Sequence, residues 1–555
     1  MRISFVFKKL FLLIFIFFCF FLLKAQSPAN CYRIYISDKN NTPYSTNDPS
    51  AYLSQRAIDK RQRFQIEITE EDLPLNPSYI EAILAQSEQI RLLTHSKWHN
   101  TVTVYCPETD KLQQIENLPF VLRTEPVAFY TGSEGRKVSD PFTKESFRES
   151  PLTEKNVSGA DYGFALTQMQ MHRGQLLHEE GFRGEGMLIA VFDAGWNGFD
   201  TISHFRSLYE RGQIAGIKNL VPGEANIYTG HSHGTSVTSL MAISLNGTMV
   251  GTAPKSYYYF IRSEDPRSEQ PIEEDYWSRA AEIADSIGAD LINSSLGYTD
   301  FPDFPSSYWT YAQSDGRSGL SSLSASIAVR KGIIVCTAAG NEGLNNWRYI
   351  GRPADARDIL TVGGVKSDSV HAGFSSVGPS YDGRVKPDVA SLGHMVICAM
   401  ENGRFMVSNG TSLATPIITG LTACLWQALP EKSASDIIQI IRENSNRYDS
   451  PDTLTGYGIP DFYKAYQKTT HIDSYNRVPE ITVYPNPCIT QFSIPDVYTE
   501  SMDIYLYDIN GRMVHHQKLS PGNTAIVKIA HLPSGIYIGR AVSSKGEKRF
   551  KIVKS

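Results

Sequence analysis

The 555-residue chain has only seven cysteines. One of them, Cys19, sits inside an apolar run near the N-terminus and is not preceded by the small residues a lipidation site needs. The other six, Cys31, Cys106, Cys336, Cys398, Cys424 and Cys488, are too sparse for a disulfide framework. Excess basic charge is also lacking: 53 Lys and Arg face 58 Asp and Glu, for a net charge of −5, which gives no footprint for nucleic acid. Beyond the first 25 residues no apolar run is long enough to span a membrane.

The N-terminus carries what the rest lacks. MRISFVFKK supplies a basic flank, LFLLIFIFFCFFLL an apolar core and KAQS a cleavage site after Ala25. This reads as a secretory signal over residues 1–25. The expectation is a protein that is soluble outside the cytoplasm, with no membrane span once the signal is removed.

Such a length predicts several domains. Residues 26–130 hold strand-like runs (CYRIYIS, NTVTVYC, FVLRTEPV) and helix-like ones (PSYIEAILAQSEQI, DKLQQIENL), which fits a small α+β domain. A polar stretch with little to bury, residues 131–159, reads as an exposed linker that is easily cut. Over residues 160–470, near-continuous apolar strands (MLIAVF, SYYYFIR, DLINSS, GIIVCTAA, DILTVGGV) alternate with helical segments. That alternation predicts a doubly wound parallel sheet covered on both faces, with its site at the carboxyl ends of the strands. Residues 478–555 read as a small β domain, from ITVYPNPC, DIYLYDINGRMVHHQ, AIVKIA and SGIYIGRAVSSKGEKRFKIV.

The strand ends carry the chemistry. MLIAVF leads into Asp193, GIIVCTAAG into Asn341, and His233 and Ser412 each open a helical segment. Singly, each has a plain structural reading: loop carboxylate, turn residue, helix cap. Together they supply everything that acyl transfer needs. Ser412 is the nucleophile and His233 the base that activates it. Asp193 holds the imidazole, and Asn341 with the Ser412 N–H receives the oxyanion. Pro416 is placed near the first helical turn, where a missing N–H costs little. His231 and His233 form a His-x-His pair of the kind that binds zinc, yet no acidic or Cys partner stands at a ligand spacing.

The order Asp, His, Ser excludes the α/β-hydrolase arrangement, whose order is Ser, Asp, His and whose nucleophile sits in Gly-x-Ser-x-Gly; here it sits in Gly-Thr-Ser-Leu-Ala. VFDAG, HGT, SLG, AAGN and GTSLATP, with GTAP, FSSVGP, KPDV and GYGIP, resemble the signature segments of subtilisin-like (subtilase) serine proteases. The resemblance implies a subtilisin-like fold and a secreted endopeptidase acting on proteins or peptides. It implies a triad of Asp193, His233 and Ser412, with Asn341 at the oxyanion. Ser295, Leu296 and Gly297 would pair with extended substrate. With Ala338, Ala339 and Gly340 they would border an uncharged S1 pocket. Ser236, Leu413 and Trp196 depart from the family pattern without removing a catalytic atom. No cofactor is expected for catalysis, and structural calcium is expected from the family without a ligand set in view. A catalytically silent, peptide-binding pseudoprotease is the competing reading.

YLSQRAIDKRQRFQIEITEEDLPLNPSYI resembles prodomains of secreted subtilases of Bacteroidota, which implies a propeptide that assists folding and inhibits the enzyme until cut. YPNP, LYDINGRMV and LPSGIYIGR resemble the C-terminal sorting domain of the type IX secretion system. That likeness implies that the chain passes through the periplasm to the cell surface or beyond, with the secretion machinery as its partner.

Overall fold

The structure is a computed structural model. It describes residues 29–129, 162–223, 226–304, 309–470, 481–494, 501–520, 525–544 and 546–555. The expected signal (1–25) and the linker (131–159) lie outside the described residues. Among the described residues no helix is long and apolar enough to cross a membrane. The chain divides into two compact units, residues 1–466 and 467–555.

The first unit begins with an antiparallel sheet of β1 (Cys31–Ile36), β2 (Arg91–Ser96), β3 (Thr101–Tyr105) and β4 (Val121–Ala128), in the order β2-β3-β1-β4. Helices α1 (Gln55–Arg63), α2 (Pro77–Leu84) and α3 (Thr109–Glu116) accompany it. Strand β2 was not anticipated. RLLTHS pairs only with β3 and leaves its first residues exposed, so its sequence lacks a clean two-residue alternation.

The larger sheet has seven strands, all paired in parallel: β5 (Leu188–Asp193), β6 (Ile214–Asn219), β7 (Tyr257–Arg262), β8 (Leu291–Ser294), β9 (Ile334–Ala338), β10 (Leu360–Val365) and β11 (Val389–Leu392). Their order is β11-β10-β9-β8-β5-β7-β6. Strands β5, β8, β9, β10 and β11 are buried along their whole length, as a sheet covered on both faces requires. The chain leaves β7 through α5 (Ile272–Ser286) and re-enters the sheet as β8, on the far side of β5. This reversal of strand order opens a crevice at the carboxyl end of β5, beside Asp193.

Three further helices position the site: α4 (His233–Ala242), α6 (Leu320–Arg330) and α7 (Thr411–Ala428). In α7 every residue from Thr411 to Trp426 is buried, and the helix packs on α4 and on β8 to β11. A helix apolar all round has to lie within the core.

The N-terminal sheet seats on α5 and α6 through buried polar contacts. Arg61 donates to Asp72 at 2.9 Å and to Asp285 at 2.8 Å, and Lys331 reaches Asp72 at 2.9 Å. Ser96 Oγ and the Trp98 N–H both donate to Glu282 Oε1, at 2.5 and 3.0 Å. His99 Nε2 is 2.7 Å from Ser324 Oγ.

The second unit is a β structure. Strands β12 (Gln491–Ile494) and β14 (Ala525–Lys528) pair with each other. A four-stranded antiparallel sheet joins β13 (Met502–Tyr507), β15 (Gly535–Ser543) and β16 (Gly546–Lys554) with the hairpin strand Met513–Leu519. ITVYPNPC forms no strand of its own. Tyr484 bridges to Ser493 and Cys488 to Lys554, while the two prolines between them have no N–H to give a ladder.

Candidate active site

Asp193 ends β5 and is fully buried. Both of its carboxylate oxygens lie 3.0 Å from His233 Nδ1. The Ala194 N–H donates to Oδ1 at 2.8 Å, which fixes the carboxylate against its own strand end. His233 is the first residue of α4, and its helix begins against the loop that follows Asp193. The Gly234 N–H donates to the Gly195 carbonyl at 3.0 Å. A Cβ at residue 234 would come within 2.6 Å of that oxygen and 2.7 Å of the Trp196 ring, so only glycine allows this approach. Trp196 is fully buried and donates its indole N–H to Thr238 Oγ1 at 3.0 Å, tying the same loop to α4.

Ser412 is the second residue of α7, with Gly410 at the cap. Among the described residues no backbone carbonyl accepts its N–H, as expected for a donor in the first helical turn. The cap residue Gly410 has no side chain with which to bond the first turn. Pro416 lies deeper than the first turn, as the sixth helical residue. Its missing N–H leaves the Ser412 carbonyl without its i+4 partner, and Ser295 Oγ donates to that carbonyl at 2.8 Å instead. Ser295 therefore braces the residue that carries the hydroxyl.

Asn341 follows β9. Its Oδ1 accepts from the Thr411 N–H at 3.0 Å and from Thr411 Oγ1 at 3.1 Å, which leaves the NH2 edge of the amide as its donor end. The Gly340 N–H donates to the same Thr411 hydroxyl at 3.2 Å. Thr411 thus orients Asn341, a function that the Gly-Thr-Ser motif alone does not disclose.

Residues 295–297 continue from the end of β8, outside the sheet; Ser295 and Leu296 are buried and Gly297 is exposed. Ala338 ends β9, and Ala339 packs in a small apolar cluster with Ile350 and Ala354. Gly340 adopts φ +105°. His231 turns its Nδ1 to the His233 N–H at 3.1 Å.

Fold and site define a class: a parallel α/β domain whose strand ends gather a carboxylate-held imidazole, a serine at a helix N-terminus and an amide donor. The chain belongs to the subtilase family, whose profile matches residues 184–458. Residues 31–140 match the peptidase S8 propeptide domain of Bacteroidota, and residues 482–555 match a secretion system C-terminal sorting domain. The chain is 30% identical over 260 residues to a subtilisin of Bacillus pumilus, covering 46% of this chain and 82% of that protein. It is also 30% identical over 288 residues to subtilisin NAT of Bacillus subtilis subsp. natto, covering 51% of this chain and 65% of that one, just under two thirds of its length. Among solved structures, MycP1 from the ESX-1 type VII secretion system aligns with a TM-score of 0.43 at 20% identity, over 62% of this chain and 96% of that one. By family the chain falls among the subtilisin-like serine peptidases, and its C-terminal domain is of the kind that sorts proteins for secretion.

Proposed function

We propose that this chain is an endopeptidase that cleaves protein or peptide substrates through an acyl-enzyme. Ser412 Oγ attacks the scissile carbonyl carbon and passes its proton to His233 Nε2, while Asp193 stabilises the resulting imidazolium. The charge that develops on the carbonyl oxygen is received by the Asn341 amide and the Ser412 N–H. The C–N bond breaks as His233 returns the proton to the departing amine. Water, deprotonated by the same imidazole, then attacks the ester and frees Ser412.

The observation that carries this reading is the His233 imidazole held at 3.0 Å by both oxygens of a fully buried Asp193, at the head of a helix that packs on the helix bearing Ser412. Residues 295–297 and 338–340 would align extended substrate, and the Ala339, Ile350 and Ala354 cluster favours an uncharged P1 side chain. Residues 1–25 would direct export and residues 131–159 would be cut to release the catalytic domain, with the C-terminal domain serving type IX secretion.

The test is the intact mass of processed protein after fluorophosphonate treatment, beside Ser412→Ala. One adduct mapping to Ser412 and absent from the variant is expected. Folded, propeptide-free protein that takes no adduct would overturn the reading in favour of a peptide-binding pseudoprotease.

A further inference from the structure

The two histidines of the His-x-His pair are put to different uses. His233 Nδ1 faces the Asp193 carboxylate. His231 Nδ1 instead accepts the backbone N–H of His233 itself, at 3.1 Å. That N–H is the first donor of α4, and the cap residue Ser232 makes no side-chain bond to the helix. The next three donors all go to backbone carbonyls: the Gly234 N–H to Gly195 at 3.0 Å, and the Thr235 and Ser236 N–H groups to Ser232 at 3.0 and 3.2 Å. The His231 imidazole thus takes the place that a Ser, Thr, Asp or Asn oxygen fills at an ordinary helix start.

The backbone of His231 is held from the other half of the pair. The Asn197 N–H donates to the His231 carbonyl at 2.9 Å. A Cβ at residue 195 would come within 2.7 Å of that carbonyl oxygen and 3.0 Å of the His231 nitrogen. Residues 195 and 197 lie on the loop that leaves Asp193. The peptide of His231 therefore packs on the loop of the carboxylate, while its imidazole holds the backbone of the base. The ring is half-buried, with its centroid 6.2 Å from that of His233.

An imidazole nitrogen that accepts a hydrogen bond carries no proton, so the neutral His231 ring has its proton on Nε2. His233 needs the opposite tautomer, with its Nδ1–H donated to Asp193 and a lone pair on Nε2 for the serine proton. The two rings, two residues apart, hold opposite tautomers, and neither Nδ1 is open to a metal ion.

We propose, resting on the endopeptidase reading, that His231 is a positioning residue: by accepting the His233 N–H at Nδ1 it fixes the imidazole of His233 against Asp193. A base set slightly off its line transfers the proton less well without altering how substrate is held, so the loss falls on kcat rather than on KM.

Two measurements let the proposal and the endopeptidase reading fail separately. In the processed enzyme, His231→Ala deletes the acceptor and His231→Asn returns an oxygen near the position of Nδ1. Steady-state kinetics on a peptide substrate, with imidazole neutral, should show kcat about tenfold lower in the Ala enzyme at nearly unchanged KM, and within about threefold of wild type in the Asn enzyme. An unchanged kcat in the Ala enzyme, a change confined to KM, or an Asn enzyme no better than the Ala one would overturn the proposal.

The second measurement needs no activity. Magnetic resonance of the full chain carrying Ser412→Ala and isotope-labelled histidine should show a bare Nδ1 and a protonated Nε2 for His231, assigned by their loss in the His231→Asn chain. The Nδ1–H signal of His233 should shift when His231→Ala is added and return with His231→Asn. A proton on His231 Nδ1 overturns the proposal, and this readout decides if the Ala variant does not fold. Wild-type enzyme that takes no fluorophosphonate adduct while His231 holds a bare Nδ1 would overturn the endopeptidase reading alone.

Discussion

Arg33 of β1 and Asp275 of α5 form a two-pronged ion pair, with Nε–Oδ1 at 2.8 Å and Nη2–Oδ2 at 2.6 Å, across the face where the N-terminal sheet meets the larger domain. Both side chains are buried. Burial alone would lower the guanidinium pKa, and Asp275 more than reverses that, raising it well above its ordinary value. Arg33→Ala would leave Asp275 with Thr103 Oγ1, at 2.8 Å, as its remaining donor from that sheet. In the Ser412→Ala chain this substitution should cost about 3–5 kcal/mol, the usual result of breaking a buried pair from one side. Denaturant unfolding measures it, and a loss below about 1 kcal/mol would show that the pair is not needed for seating.

His95 and His99 make that seating sensitive to acid. Burial lowers each imidazole pKa to about 4 from 6.5. A histidine whose folded pKa is depressed binds fewer protons when seated than when released. Its contribution is therefore complete above pH 6.5 and declines as pH falls towards 4. The N-terminal domain should loosen over that window, read as faster cleavage by an added protease at constant ionic strength. His99→Gln should flatten the response; a wild-type profile flat from pH 7 to 4 would refute it.

Thr411 orients the Asn341 amide through its hydroxyl, at 3.1 Å. Asn341→Ala should lower kcat by about 10²–10³ with KM nearly unchanged, a magnitude established at an oxyanion asparagine of a subtilisin, a relative of this chain. Thr411→Val keeps the volume and deletes the hydroxyl, so kcat should fall roughly tenfold by loss of one orienting hydrogen bond. Thr411→Ser should restore most of the rate. Steady-state kinetics on a peptide substrate separates these, and a change in KM alone would assign Thr411 to substrate binding.

The six cysteines among the described residues are buried, and no disulfide joins them. Burial pushes the Cys336 thiol up to about 12, which leaves almost no thiolate at neutral pH. Thiol reagents should label the folded chain negligibly and leave peptidase activity intact, and reductant should leave the thermal midpoint unchanged. Labelling of Cys336 without unfolding would contradict its placement in β9.

Much of the fold was legible because periodicity is a local property. The buried strands of the large sheet announce themselves as apolar runs, and α7 as an apolar helix behind Gly-Thr-Ser. Edge strands were less legible: β2, β6 and the short β12 have exposed or half-exposed residues that blur the pattern. Pro416 lies deeper in α7 than its sequence context suggests, since sequence does not show which residue caps the helix.

The sequence by itself determined the residue types at the strand ends, their chain order and the family to which they belong. Residue type and order are written along the chain. Tertiary structure decided which atoms meet. The contact of Ser295 with the Ser412 carbonyl, the grip of Thr411 on Asn341 and the seating of Arg33 on Asp275 join residues 117, 70 and 242 positions apart. Such contacts depend on the strand order and on where each helix begins, and no local pattern encodes either.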